Sequence, residues 1–183
     1  SWSTGNAELG YGDGGEATVV SYGPSTWNKY ITTYFRKSFT VANPALYSAL
    51  SLQLLRDDGA VVYLNGTEVA RSNMPTGTIS YTTRASTAIS GTGETTYYPF
   101  TTSLTLLVNG TNVIAVEIHQ STPLTPDMSF NLSLSASTTA TCGTPGSLTA
   151  TSISTSGATV NWGTVTGATS YNLRYRVTGT STW

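Results

Sequence analysis

Between Ala60 and Arg71 the chain runs Val61, Val62, Tyr63 and Leu64 into Asn65-Gly66, then leaves through Thr67, Glu68 and Val69. Asn-Gly between two such runs is the strongest short-range hairpin signal, because both turn residues must accept positive φ. A second pair, Asn109-Gly110, separates Leu104–Val108 from Val113–Ile118 and predicts a second hairpin. Leu50, Leu52 and Leu54 alternate with Ser51, Gln53 and Leu55, and Phe130, Leu132 and Leu134 alternate with Asn131, Ser133 and Ser135. That is the period-2 pattern of half-buried strands. Ala17–Tyr22 and Tyr30–Val41 read as further strands, and the one helix-tolerant stretch, Ala42–Leu50, contains Pro44. About eight to ten strands before residue 137 predict an all-β fold, an antiparallel β-sandwich or jelly roll.

Charge is scarce. The 183 residues include 8 basic and 9 acidic ones, for a net charge of −1. This 9% charged fraction is about a third of the usual soluble-domain value. Ser and Thr fill the gap with roughly a third of the chain, where ordinary usage is far lower. A polar, uncharged surface suits a secreted or cell-surface β-protein. Near-neutral charge offers no electrostatic footprint for nucleic acid or anionic lipid, and no apolar run approaches the ~20 residues of a membrane helix. The reading therefore expects neither partner. Cys142 is the single cysteine, so no internal disulfide and no thiolate metal centre can form. No signal segment opens the chain at Ser1, which predicts a mature or processed piece.

Composition shifts after Ala136. The stretch 137–146, STTATCGTPG, holds Pro145 and two glycines and no large apolar residue, and reads as a linker. Leu148, Ile153, Val160, Trp162, Val165, Tyr171, Leu173 and Tyr175 then recur like three more strands. The predicted organisation is a domain over 1–136, a linker over 137–146 and a partial sandwich over 147–183, too short to stand alone.

Two stretches resemble known families. The segment from Pro145-Gly-Ser-Leu-Thr-Ala-Thr through Ala158-Thr-Val-Asn-Trp162 to Gly167-Ala-Thr-Ser-Tyr171-Asn-Leu-Arg-Tyr175-Arg resembles the first half of a fibronectin type III module. Trp162 and Tyr171 match its core Trp and Tyr. Residues 1–136 resemble galactose-binding-like jelly-roll modules of secreted bacterial multidomain proteins. Ala7-Glu-Leu-Gly-Tyr-Gly-Asp-Gly, Tyr34-Phe-Arg-Lys-Ser-Phe, Leu54-Leu-Arg-Asp-Asp-Gly-Ala-Val-Val-Tyr-Leu-Asn-Gly and Asn112-Val-Ile-Ala-Val-Glu-Ile-His-Gln carry that likeness. Such modules accompany secreted glycoside hydrolases and metallophosphoesterases, so the resemblance implies an accessory domain without naming a ligand. It also implies an N-terminal strand before Trp2. For the second module it implies a chain continuing past Trp183 by about 40–50 residues, with a late cysteine bonded to Cys142.

Asp57-Asp58-Gly59 precedes the first hairpin. Adjacent carboxylates repel, and hard oxygen ligands suit Ca²⁺, which makes Asp57 and Asp58 candidate cation and ligand contacts. The pattern also resembles the Asp-Asp-Gly of the PA14 family, some of whose members bind calcium and a sugar through that pair. The alternative is a solvated turn, one Asp capping backbone amides and the other pairing with Arg56. Asp13 and Glu16, in a glycine-rich loop, are weaker calcium candidates beside the reading of a flexible loop with two solvated acids. Glu117 and His119 point to one face of a strand, with Asp127 nearby in sequence. Without a nucleophile motif or second histidine, hydrogen-bonded structure is the favoured reading over acid–base catalysis.

Trp2, Tyr11, Trp27, Tyr30, Tyr81, Tyr97 and Tyr98 lie in or beside predicted loops, and flat rings stack on sugars and on protein partners alike. Half are expected to be core or edge packing. Trp27 is the foremost candidate for a solvent-facing ring, and Tyr97 joins it as a candidate ligand contact. The expected function is a non-catalytic accessory module of a secreted protein, binding a polysaccharide or cell-surface glycan beside neighbouring domains of its own chain. The alternatives are a structural or adhesive spacer, or an accessory domain of a secreted hydrolase.

Overall fold

The computed structural model describes residues 2–138, 143–176 and 179–180; Cys142, and with it the expected bridge, lies outside them. The chain divides into two compact units, Ser1–Thr138 and Thr139–Trp183.

The first unit is a β-sandwich. One sheet has the order β2-β1-β9-β4-β7, built from β1 (Leu9–Tyr11), β2 (Thr18–Val19), β4 (Tyr47–Arg56), β7 (Tyr98–Thr102) and β9 (Met128–Thr138). The other has the order β3-β8-β5-β6, from β3 (Thr32–Val41), β5 (Gly59–Leu64), β6 (Thr67–Ser72) and β8 (Gly110–His119). Pairing is antiparallel except between β1 and β2, which run parallel. The alternating leucines do what their spacing predicts: Leu50, Leu52 and Leu54 are buried while Ser51 and Gln53 are exposed. They pack between the sheets with Ala60, Val62, Ile114, Val116, Ile118, Met128 and Phe130. The Phe35 and Phe130 rings stack at 4.6 Å across that core.

Asn65-Gly66 forms its hairpin, with φ of 50° and 83°. Asn109-Gly110 does not. Leu104–Leu106 is a 3-10 turn, so no strand precedes it. The fully buried Asn112 side chain takes the local backbone instead, accepting from Val108 N–H and donating to the Val108 and Gly110 carbonyls. Around Pro44 there is only a 3-10 turn, Pro44–Leu46. At the other boundary β9 continues through Thr138 against Tyr47, two residues into the stretch read as linker.

In the second unit two short strands pair antiparallel, β10 (Thr149–Thr151) and β11 (Thr159–Asn161). The third strand predicted there is absent among the described residues. Trp162 and Tyr171 do pack, at 5.6 Å between ring centroids, and the Tyr171 hydroxyl accepts from Val165 N–H. Leu148, Ile153 and Tyr175 stay exposed, so little apolar surface is available to order the rest.

Candidate functional site

Asp57-Asp58 is the corner at which the chain crosses from β4 in one sheet to β5 in the other. The solvated-turn reading fails here, because both residues are wholly buried. A long loop over 73–97 covers them, and Asp58 is one of the groups that fasten it, beside Thr32, His119 and the Gln120 carbonyl. One Asp58 carboxylate oxygen accepts from Ile89 N–H at 2.6 Å and the other from Ser121 N–H at 2.7 Å. Thr125 Oγ1 adds a longer contact at 3.4 Å. The Asp58 carbonyl accepts from Arg56 Nη1 and Asn73 Nδ2, so Arg56 pairs with the backbone rather than with a carboxylate. Gly59 completes the motif for a steric reason. A Cβ there would lie 2.6 Å from Met74 Sδ and 2.9 Å from Ala85 Cβ, so only glycine lets the loop close down on the corner.

Asp57 behaves oppositely. Its N–H donates to the Ser129 carbonyl, while no N–H or hydroxyl donor reaches its carboxylate oxygens, whose side-chain neighbours are the carboxyls of Asp58 and Asp127. Burial pushes its pKa up to about 9, and the charges of the Asp58 and Asp127 carboxyls and hydrogen bonds to them add to the rise. Burial also raises the Asp127 carboxyl, aided by Asp13. Tyr11 is carried up to about 12, again by burial first. Asp13 faces Ser129 Oγ at 2.6 Å, and Glu16 accepts from Asp13 N–H within its own loop. Among the described residues no three His, Cys, Asp or Glu side chains form a ready metal cage.

The loop that Asp58 holds also crosses the outer face of the four-stranded sheet. Tyr81 on that loop stacks against Tyr34 of β3 at 6.5 Å and 24°, and both rings remain nearly half exposed. Thr32 Oγ1 donates to the Tyr81 carbonyl at 2.6 Å and fixes the ring's position. Glu117 of β8 lies opposite Tyr34 in register, and Tyr63 of β5 occupies the neighbouring row opposite Ala115. The Tyr63 hydroxyl is held well above its ordinary pKa by burial, then by the hydrogen bond to Glu117 and its charge. In that same row, across Ala115, Arg36 lies under the Trp2 ring at 4.3 Å. Arg71 braces the loop through the Pro75 and Gly77 carbonyls and pairs with Glu68.

His119 is fully buried beneath this face. Its Nδ1 meets the Thr83 carbonyl at 2.7 Å and must donate there, while Nε2 meets Glu117 Oε2 at 3.1 Å. Asp127, the third member of the suspected acid–base set, lies with Asp57 and Asp13 instead.

The other expected contacts divide by exposure. Trp27 projects from a tight turn and is 81% exposed, and Tyr97 is 44% exposed. A ligand on those rings would not reach the buried carboxylates of Asp57 and Asp58. Tyr11 belongs to the core and Tyr30 to the surface. Tyr98 carries the Arg56 guanidinium at 4.3 Å. Tyr34 was missed in the sequence, although its alternation with the core residue Phe35 marks it as outward-facing. A cleft of about 370 Å³ between the sheets, near Lys37, Tyr47 and Leu107, includes none of the expected residues.

Fold and site together define an all-β sandwich whose four-stranded sheet carries aromatic rings and charges of both signs on its outer face. No protein-family model matches the chain, and no curated protein matches it. Solved structures do contain similar segments, among them three glycosidases. The first is the α-L-rhamnosidase of Streptomyces avermitilis complexed with L-rhamnose, at 16% identity over 73% of this chain and 10% of that one, TM-score 0.41. The second is the β-D-mannosidase of Dictyoglomus thermophilum, at 22% identity over 49% of this chain and 9% of that one, TM-score 0.33. The third is the native α-L-rhamnosidase of Aspergillus terreus, at 16% identity over 61% of this chain and 13% of that one, TM-score 0.41. The chain thus spans only 9–13% of the length of these enzymes.

Proposed function

We propose that the first unit is a non-catalytic binding module of a secreted multidomain protein, and that its ligand is a glycan lying on the outer face of the four-stranded sheet. The observation that carries this reading is the exposed Tyr34–Tyr81 pair, set beside Glu117 on a rigid sheet. Sugar rings present C–H faces that pack on aromatic surfaces and hydroxyls that need acceptors and donors. Glu117 and Tyr63 supply such polar groups within the same patch. Placing the rings on a sheet and on a pinned loop means little side-chain entropy is lost on binding. Attached to a secreted hydrolase, such a face would hold the enzyme on its polymer.

Affinity electrophoresis through soluble polysaccharides tests the reading, with a glycan array as a second screen. Tyr34→Ala and Tyr81→Ala should each weaken retention at least about tenfold, since losing one stacked ring is worth about 1.5 kcal/mol. Wild-type protein that no glycan retards would favour the structural spacer instead.

A further inference from the structure

Along β3 the side chains alternate between two environments. Phe35 and Phe39 pack against the core, while Tyr34 and Arg36 stand on the outer face. Arg36 is exposed, and its guanidinium lies 4.3 Å from the centroid of the Trp2 ring, itself 52% exposed. Stacking of this kind engages the flat face of a guanidinium. Its five N–H donors lie in the plane and stay free to point sideways. Among the described residues Arg36 makes no side-chain hydrogen bond and no ion pair, so nothing there takes those donors. Trp2 holds the fork flat without using it.

The strands of this sheet carry two acids, Glu68 and Glu117, and both are engaged. Glu68 accepts from Arg71 through both oxygens, at 2.8 and 2.7 Å. Glu117 meets His119 Nε2 at 3.1 Å and takes the Tyr63 hydroxyl. What these strands leave unbalanced is a cation. Opposite Arg36 in register stands Ala115, and beyond it Tyr63, so a single methyl group floors the space between guanidinium and ring. Tyr34 is two residues from Arg36 on the same strand, roughly 7 Å along the face.

We propose, resting on the reading of this face as a glycan site, that its ligand is an acidic polysaccharide: a uronic-acid ring lies on Tyr34 and Tyr81 while its carboxylate takes the Arg36 fork. A carboxylate accepts two parallel N–H bonds from a guanidinium, which the neutral hydroxymethyl group of the corresponding hexose cannot match. A neutral sugar stacks on the same tyrosines but leaves the fork to water. The tyrosines therefore set retention in general, and Arg36 sets the choice of sugar.

Affinity electrophoresis of the full chain in chelator separates charge from ring. The gels carry polygalacturonate or alginate, each beside its carboxyl-reduced counterpart, in which the ring remains and the charge is gone. At least one acidic polymer should retard the protein about tenfold more strongly than its reduced form. Arg36→Ala should erase that preference, and Arg36→Lys should restore only part of it, because an ammonium has no fork. Tyr34→Ala should lower retention on acidic and reduced polymers alike. Lys37→Ala removes the same charge one residue away, from a side chain that lines the cleft between the sheets instead of the outer face, and should change nothing. A loss from Lys37→Ala equal to that from Arg36→Ala would mean unspecific charge attraction and overturn the proposal. Equal retention on acidic and reduced polymers would overturn it as well, while leaving the glycan reading in place. Retention by no polymer, acidic or neutral, would remove both.

Discussion

The β4–β5 corner and the outer sheet face are held by one loop, 73–97, but by opposite physics. At the corner, Asp58 is a buried charge satisfied by backbone donors from Ile89 and Ser121, and the loop closes on it like a lid over a fixed anion. On the face, Tyr34 and Tyr81 leave half of each ring in water and tie to the rest mainly through stacking and one Thr32 hydrogen bond. Charge inside the protein is where stability is staked; aromatic surface outside is free to serve a ligand. Substitutions at the two places should therefore separate folding from binding.

The largest effect is expected at Asp58. Asp58→Ala leaves two buried N–H donors without their charged acceptor, and each such loss is worth about 1.5–3 kcal/mol. Chemical denaturation should show a fall of about 3–5 kcal/mol, with glycan retention reduced as well, because the loop bearing Tyr81 is released. A fall below about 1 kcal/mol would mean that the anchor is not what holds the loop, and the contrast would break. Gly59→Ala comes next. The added methyl meets Met74 Sδ, Ala85 and the Asn73 carbonyl, and overpacking of that kind costs about 1–3 kcal/mol. The Met74 thioether is the one flexible neighbour, so Gly59→Ala combined with Met74→Ala should recover part of the loss.

What was legible in the sequence follows the same division. Strands whose signal is local came through: the Leu50–Leu54 alternation and Asn65-Gly66 needed nothing beyond their own neighbours. Asn109-Gly110 has the same dipeptide and misleads, since the deciding residue is Asn112, whose side chain replaces strand partners that Leu104–Val108 would have needed. β1 and β7 were hidden for different reasons. β1 contains Gly10, which has no room for a side chain against the Met128 carbonyl. β7 carries Pro99 and is tolerated because it lies at a sheet edge. At the site, residue type marked Asp57-Asp58-Gly59, but not that a loop beginning fourteen residues later would bury it. Nor could residue type alone tell an Asp whose oxygens accept from backbone N–H groups from a neighbour approached only by other carboxyls. That distinction is tertiary.

Trp27 offers the smallest stability effect and the sharpest test of where binding lies. The ring is 81% exposed, and the turn beneath it is held by backbone and Ser25 hydrogen bonds that do not involve the indole. Trp27→Ala should leave stability within about 0.5 kcal/mol of wild type, as surface substitutions away from special features do. The informative quantity is retention on the same polysaccharide gel. If the sheet face is the site, Trp27→Ala keeps most of the retardation that Tyr34→Ala removes. The reverse pattern would move the ligand from the sheet to the loop around residue 27. The face would then be reduced to packing for the loop that Asp58 holds, and two regions separated here by function would differ only in burial.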